Sequence, residues 1–170
     1  DHKRWDEEVR RTLDIYNEAW EQNWGFVPIS EKEYLHVAKD LKMVLHESLG
    51  LVAEVDGEAV AFAISIKDIN PTLKKLDGKL FPTGIFRLVW DLMLNEDKAV
   101  RSGRLILLGI REKYRRRGVD SLLFIETFRA AAAIGWPLGT IGWTLDDNEM
   151  VNRAIEAMDG FKLSTYRLYE

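Results

Sequence analysis

Residues 111–128, REKYRRRGVDSLLFIETF, set Arg115, Arg116 and Arg117 against Gly118 and then turn at once into helical spacing. A helix N-terminus presents unpaired N–H groups and a partial positive charge. Three guanidinium groups at that spot make it a candidate phosphate cradle. Asp120, one turn in, opposes this. A carboxylate there suits the helix dipole but repels a phosphate in the same place. It either points away and caps the helix, pairs with a neighbouring arginine, or marks a site that has lost its anion. Further along, Asp146 and Asp147 follow the apolar run GTIGWTL, and Tyr166 lies in the last segment. These three are the proton-transfer candidates, with helix capping as the competing role for either aspartate. His2, His36 and His46 are scattered without metal-ligand spacing.

The rest of the 170 residues bounds what the cradle serves. The length suits one domain (1–170) with a core of its own. With no cysteine, disulfides and thiolate-bound metal are excluded. A formal charge of −4 argues against general nucleic-acid binding, so the basic patch is local. No apolar run approaches a membrane span, and no signal peptide is visible, which makes a cytoplasmic location the default expectation. Asp1 in place of Met fits an excised or processed piece.

The elements that must hold the cradle follow from periodicity. Val9, Leu13, Tyr16 and Trp20 predict a helix over 5–23. Ser30 and Glu33 make a capping-box pattern for a second, lined by Tyr34, Val37, Leu41 and Val44. LVAEVDGEAVAFAISI reads as two strands around Asp56–Gly57, with Val60, Phe62, Ile64 and Ile66 on one face and Ala59, Ala61, Ala63 and Ser65 on the other. Residues 68–103 form an apolar insertion: a short helix or turn at PTLKKLDG, then a strongly apolar helix started by Pro82. Its apolar surface is expected to be buried within this domain or against a partner, because it carries too few cations for membrane docking. RLILLGI is a strand covered on both faces; a helix to Ala133, a strand at GTIGWTL, a helix closed by Gly160 and a strand at FKLSTYRLYE follow. Trp20, Trp24 and Phe26 form an aromatic knot read first as core and second as a substrate wall.

This α/β order, ααββ(α)βαβαβ, with a basic glycine loop after the third predicted strand, resembles the GNAT (Gcn5-related N-acetyltransferase) superfamily. That family has a mixed, mostly antiparallel central sheet flanked by helices. Its motif [QR]-x-x-G-x-[GA] falls on Arg115, Arg116, Arg117, Gly118, Val119 and Asp120. Asn148 and the pair Gly160-Phe161 are similar to the ends of its second motif, and YNEAWEQNWGF and TYRLYE look like the C-terminal half of longer bacterial GNAT-fold proteins. The family usually has a small residue where Asp120 sits and often glycine where Arg116 sits.

The resemblance implies a function: acyl-CoA-dependent N-acyl transfer to an amine of unknown identity, with no metal. It implies that Leu108, Gly109, Ile110 and Arg111 border the pantetheine arm along a splayed strand edge. Arg115, Arg116, Arg117, Gly118, Val119, Asp120 and Ser121 would hold the pyrophosphate, with Asn148 nearby. Lys98, Arg101, Arg104 and Lys113 would add charge toward the nucleotide. Family members often carry a base on the motif strand and a tyrosine before the Gly-Phe pair; here the strand has no carboxylate and the second place is Glu156. Asp146 and Tyr166 are therefore the catalytic candidates. Two other functions stand beside this one: a GNAT-fold domain with a decayed site that serves as an interaction or ligand-sensing module, and a transferase using aminoacyl-tRNA. Too little sequence precedes the first helix for the family's usual first strand, so an edge completed by a second copy or another domain is expected.

Overall fold

The computed structural model describes residues 4–23, 25–95 and 99–167. Trp24, Lys98 and His2 lie outside them. Helices α1 (Trp5–Trp20) and α2 (Glu31–Leu41) come first. Strands β1 (Leu45–Val55) and β2 (Glu58–Lys67) follow, then α3 (Asn70–Leu76) and α4 (Gly84–Met93). The second half is β3 (Ser102–Ile110), a 3-10 turn (Glu112–Tyr114), α5 (Val119–Ala133), β4 (Leu138–Ile141) and α6 (Glu149–Glu156). The sheet runs β1-β2-β3-β4, antiparallel except for the parallel β3–β4 pair.

Local chemistry explains most of these boundaries. α2 begins in a complete capping box: the Ser30 hydroxyl accepts from the Glu33 N–H, and the Glu33 carboxylate accepts from the Ser30 N–H. The Ser30 hydroxyl also donates to the Glu33 carboxylate at 2.5 Å, and that bond first, then the one from the Ser30 N–H, holds the Glu33 carboxyl below its ordinary range. Asp56 and Gly57 take φ values of 53° and 82°, the paired positive angles that a two-residue hairpin turn requires. Arg11 bonds Glu54 and ties α1 to β1.

The sheet is covered on both sides. Ile15, Tyr16 and Trp20 of α1 pack on Phe62, Ile64 and Leu107. On the opposite face Leu123 and Phe124 of α5 pack on Ala61, Ala63 and Leu105, joined by Ala154, Ile155 and Met158 from the α6 region. One expected face assignment changes: Val60 belongs to the α5 side and Ala59 to the α1 side. The pairing steps from Ala53–Ala61 to Glu54–Ala59, leaving Val60 as a bulge that reverses the alternation.

Two further expectations are corrected. β4 ends at Ile141, short of the expected GTIGWTL strand. Residues 161–167 form no strand, so the terminal β-element is absent among the described residues. Phe161, Leu163 and Tyr166 there are exposed, with no neighbouring strand to complete a ladder. In the insertion, α4 buries Leu92 and the Asp91–Thr72 hydrogen bond (2.9 Å), yet Phe86, Trp90 and Met93 are exposed. Of the two burials expected for this surface, the one within the domain takes in only the other side of α4, which docks on α3; burial against a partner is not tested by a single chain.

Candidate functional site

A second bulge creates the opening in the sheet. The β2–β3 register passes from Ser65–Leu105 to Ile64–Leu107, so Ile106 is the extra residue. β4 pairs with β3 only from Ser102 to Leu105, and the last bond runs from the Gly142 N–H to the Leu105 carbonyl at 2.6 Å. Beyond that point residues 106–110 keep β2 on one side and, among the described residues, have no strand on the other. The Arg111 N–H bonds the Val60 carbonyl, so by alternation Leu108 and Ile110 direct their backbone groups toward the open side. Gly109 cannot carry a side chain: a Cβ would lie 2.7 Å from Phe62 and 3.0 Å from Trp20. Trp20 is thus core rather than wall at this point.

The open edge leads into the arginine loop. The loop is held from behind: Arg111 bonds the Ala59 carbonyl (3.1 Å) and Glu18 (3.2 Å), and the Glu112 N–H bonds Glu18 at 2.7 Å. Arg115 reaches the Ile110 and Ala19 carbonyls, both at 3.4 Å. These two arginines fix the loop to α1 and β2. Arg116 and Arg117 are exposed, Arg117 resting 5.6 Å above the Tyr114 ring. Arg116 takes φ 60° and Gly118 φ 78°, a sequence of left-handed residues that turns the chain into α5. The N–H groups of residues 116–121 donate to no acceptor among the described residues, and α5 has no side-chain cap. Asp120 therefore does not cap the helix, and it makes no ion pair among the described residues.

The downstream candidates fall on the segment after β4. Asn148 is the N-cap of α6, accepting from the Val151 N–H at 3.4 Å, so neither Asp146 nor Asp147 has that role. Asp146 is exposed, with Lys162 at 3.4 Å. Tyr166 is exposed and its ring lies 6.4 Å from that of Trp143, which places it beside the loop leaving β4. Asn152, which sequence reasoning missed, ties this loop to α6 through Thr144 (2.6 Å) and the Leu145 carbonyl (3.0 Å). Arg101 and Arg104 do not join the cradle. They sit at the start of β3, and six strand residues from Arg104 to Ile110 span about 20 Å. The Arg104 guanidinium instead covers the Trp143 ring at 5.1 Å. Lys113 alone of the described flanking cations lies on the loop, next to Tyr114. Among the described residues no carboxylate–histidine cluster could hold a metal.

An open strand edge running into a ring of undonated amides suits an extended ligand with an anionic end. Comparison with known proteins places this geometry. No family model matches the sequence. The chain is 34% identical over its whole length to the bacterial ceramide synthase of Caulobacter vibrioides, of which it covers 44%. It is equally 34% identical, over 99% of its length, to protein YghO of Escherichia coli, covering 43% of it. The chain thus spans less than half the length of the curated relatives it matches. Among solved structures, the aminoglycoside N-acetyltransferase AAC(6')-Iy in complex with CoA superposes with TM-score 0.59 at 16% identity, over 95% of this chain and 89% of that one. The ribosomal-protein-alanine N-acetyltransferase of Brucella melitensis gives 0.60 at 13% identity, over 97% and 94%.

Proposed function

The chain has the GNAT acetyltransferase fold, and on that premise we propose that it is an acyl-CoA-dependent N-acyltransferase acting on a long-chain amine. The observation that carries the donor side is the split at Ile106, continuous with the undonated amides of residues 116–121. Leu108 and the N–H of Ile110, whose carbonyl accepts from Arg115, would pair with the amide groups of a pantetheine arm, while the amides from Arg116 to Ser121 would hold the pyrophosphate with help from Arg117. Arg111 and Arg115 keep the loop in place. The acceptor side rests on the likeness of this chain, over its own length, to 44% of a bacterial ceramide synthase. A ceramide is the amide of a fatty acid and a long-chain amino alcohol, so the same bond would be made here.

The reaction needs little beyond positioning and two proton transfers. The amine nitrogen attacks the thioester carbonyl, the C–N bond forms and the C–S bond breaks. Asp146, on the loop that leaves β4, would take the amine proton through water. Tyr166, beside the same loop, would supply a proton to the departing thiolate. Asn148 positions that loop by capping α6. The bare outer edge of β4 is where a further domain or a second copy would complete the sheet.

Asp120 favours a second reading, in which the fold has lost its donor and serves as an interaction domain. Calorimetry separates the two. Acetyl-CoA and palmitoyl-CoA should bind the wild type, and Gly118→Trp and Arg117→Ala should weaken both. Mass spectrometry should then detect N-acyl product from palmitoyl-CoA and sphinganine. No binding of either thioester, by the wild type and by Asp120→Gly alike, would leave the interaction reading.

A further inference from the structure

On the α5 face of the sheet lies a cavity of about 60 Å³, at the closed end of the split. Leu105 and Ile141, the last paired residues of β3 and β4, form part of its wall, and Phe124 and Trp136 close it with apolar surface. Besides Thr140, two hydroxyl-bearing residues, Ser65 and Thr127, interrupt this lining. Ser65 is 3% exposed, and neither its Oγ nor the buried Oγ1 of Thr127 has a hydrogen-bond partner. Both residues line the cavity. Two unpartnered hydroxyls in one apolar chamber are costly unless something pairs with them. Each offers one donor and lone pairs, so a ligand hydroxyl that reaches either can pair with it.

We infer that this cavity receives the carbons next to the donor's carbonyl, and that Ser65 and Thr127 recognise a hydroxyl carried on that part of the acyl chain. The inference rests on the acyltransferase reading and adds a donor preference to it. Location supports it: the chamber begins where β3 and β4 part, which is where a chain entering along residues 106–110 reaches the end of the opening. Phe128, 48% exposed, stands in the same lining and marks the way out for the remaining tail. An unsubstituted chain would leave both hydroxyls unpaired, so discrimination comes from the penalty on the wrong ligand.

The test compares 3-hydroxypalmitoyl-CoA, palmitoyl-CoA and CoA itself by calorimetry. The wild type should bind the hydroxylated thioester on the order of tenfold more tightly than the plain one. Ser65→Ala and Thr127→Val should each reduce that ratio, Thr127→Ser should restore it, and none should change the affinity for CoA. Ala131→Phe, which fills the chamber, should weaken both thioesters and spare CoA. Equal affinities in the wild type, or an unchanged ratio in the variants, would overturn the inference and leave water as the partner of the two hydroxyls. In that case CoA still binds and the acyltransferase reading stands. Failure of CoA as well would remove both.

Discussion

At the scale of single residues, the cradle depends on backbone angles as much as on charge. Gly118 at φ 78° faces open space, so the cost of replacing it lies in the backbone and in blocking the amides. Gly118→Trp should weaken acyl-CoA binding in calorimetry while the far-ultraviolet dichroism stays that of the wild type. Asp120 can be tested in the opposite direction. If its carboxylate opposes the pyrophosphate, Asp120→Gly tightens CoA binding by about 0.3–1 kcal/mol, and the gain shrinks in high salt. Away from the site, Tyr34 is buried between α1 and α2. The Thr12 hydroxyl donates to the Val9 carbonyl, so the phenol donates to Thr12 at 3.0 Å. Burial raises the Tyr34 phenol above its ordinary value of 10.0. The sign follows: the unfolded chain loses this proton first, so stability is full below the ordinary value and declines as pH rises through the raised one. Denaturation at about pH 8 and about pH 11 should show a smaller alkaline loss in Tyr34→Phe than in the wild type.

At the scale of elements, a helix cap and a strand bulge set two of the chain's turning points. α2 starts where its capping box closes, and Ser30→Ala should lower stability by about 1 kcal/mol, read as a drop in Tm. β3 bends at Ile106 and passes close over Phe62 and Trp20 at Gly109. Gly109→Ala must move one of those rings and should cost about 1–3 kcal/mol, with a matching loss of acyl-CoA affinity because the same strand forms the open edge. The capping box was legible from two residue types at fixed spacing. The bulge was not, since RLILLGI reads as a plain buried strand and the extra residue appears only when β2 is laid beside it.

At the scale of the whole molecule, the basic loop stands out against an acidic chain, and the apolar face of α4 stands out against its polar surroundings. Phe86 and Met93 are each 74% exposed, so they contribute little to this domain. Phe86→Ser with Met93→Ser should leave Tm within the shift expected for about 0.5 kcal/mol, measured by calorimetric melting. A larger loss would mean that α4 has a partner in solution.

The sequence alone determined the element order up to α6, the hairpin, the capped helix and the loop whose amides are proposed as the cradle. These features are local: they rest on turn chemistry, periodicity and the geometry of a helix start, all encoded within a few residues. Tertiary structure decided the rest. It assigned Arg111 and Arg115 to holding the loop, removed Arg101 and Arg104 from the cradle, and left 161–167 without a strand. It also put Ser65 and Thr127 in the lining of one chamber. Each of these depends on which distant segment lies opposite, and a pairing across the sheet leaves no mark in either strand's own pattern.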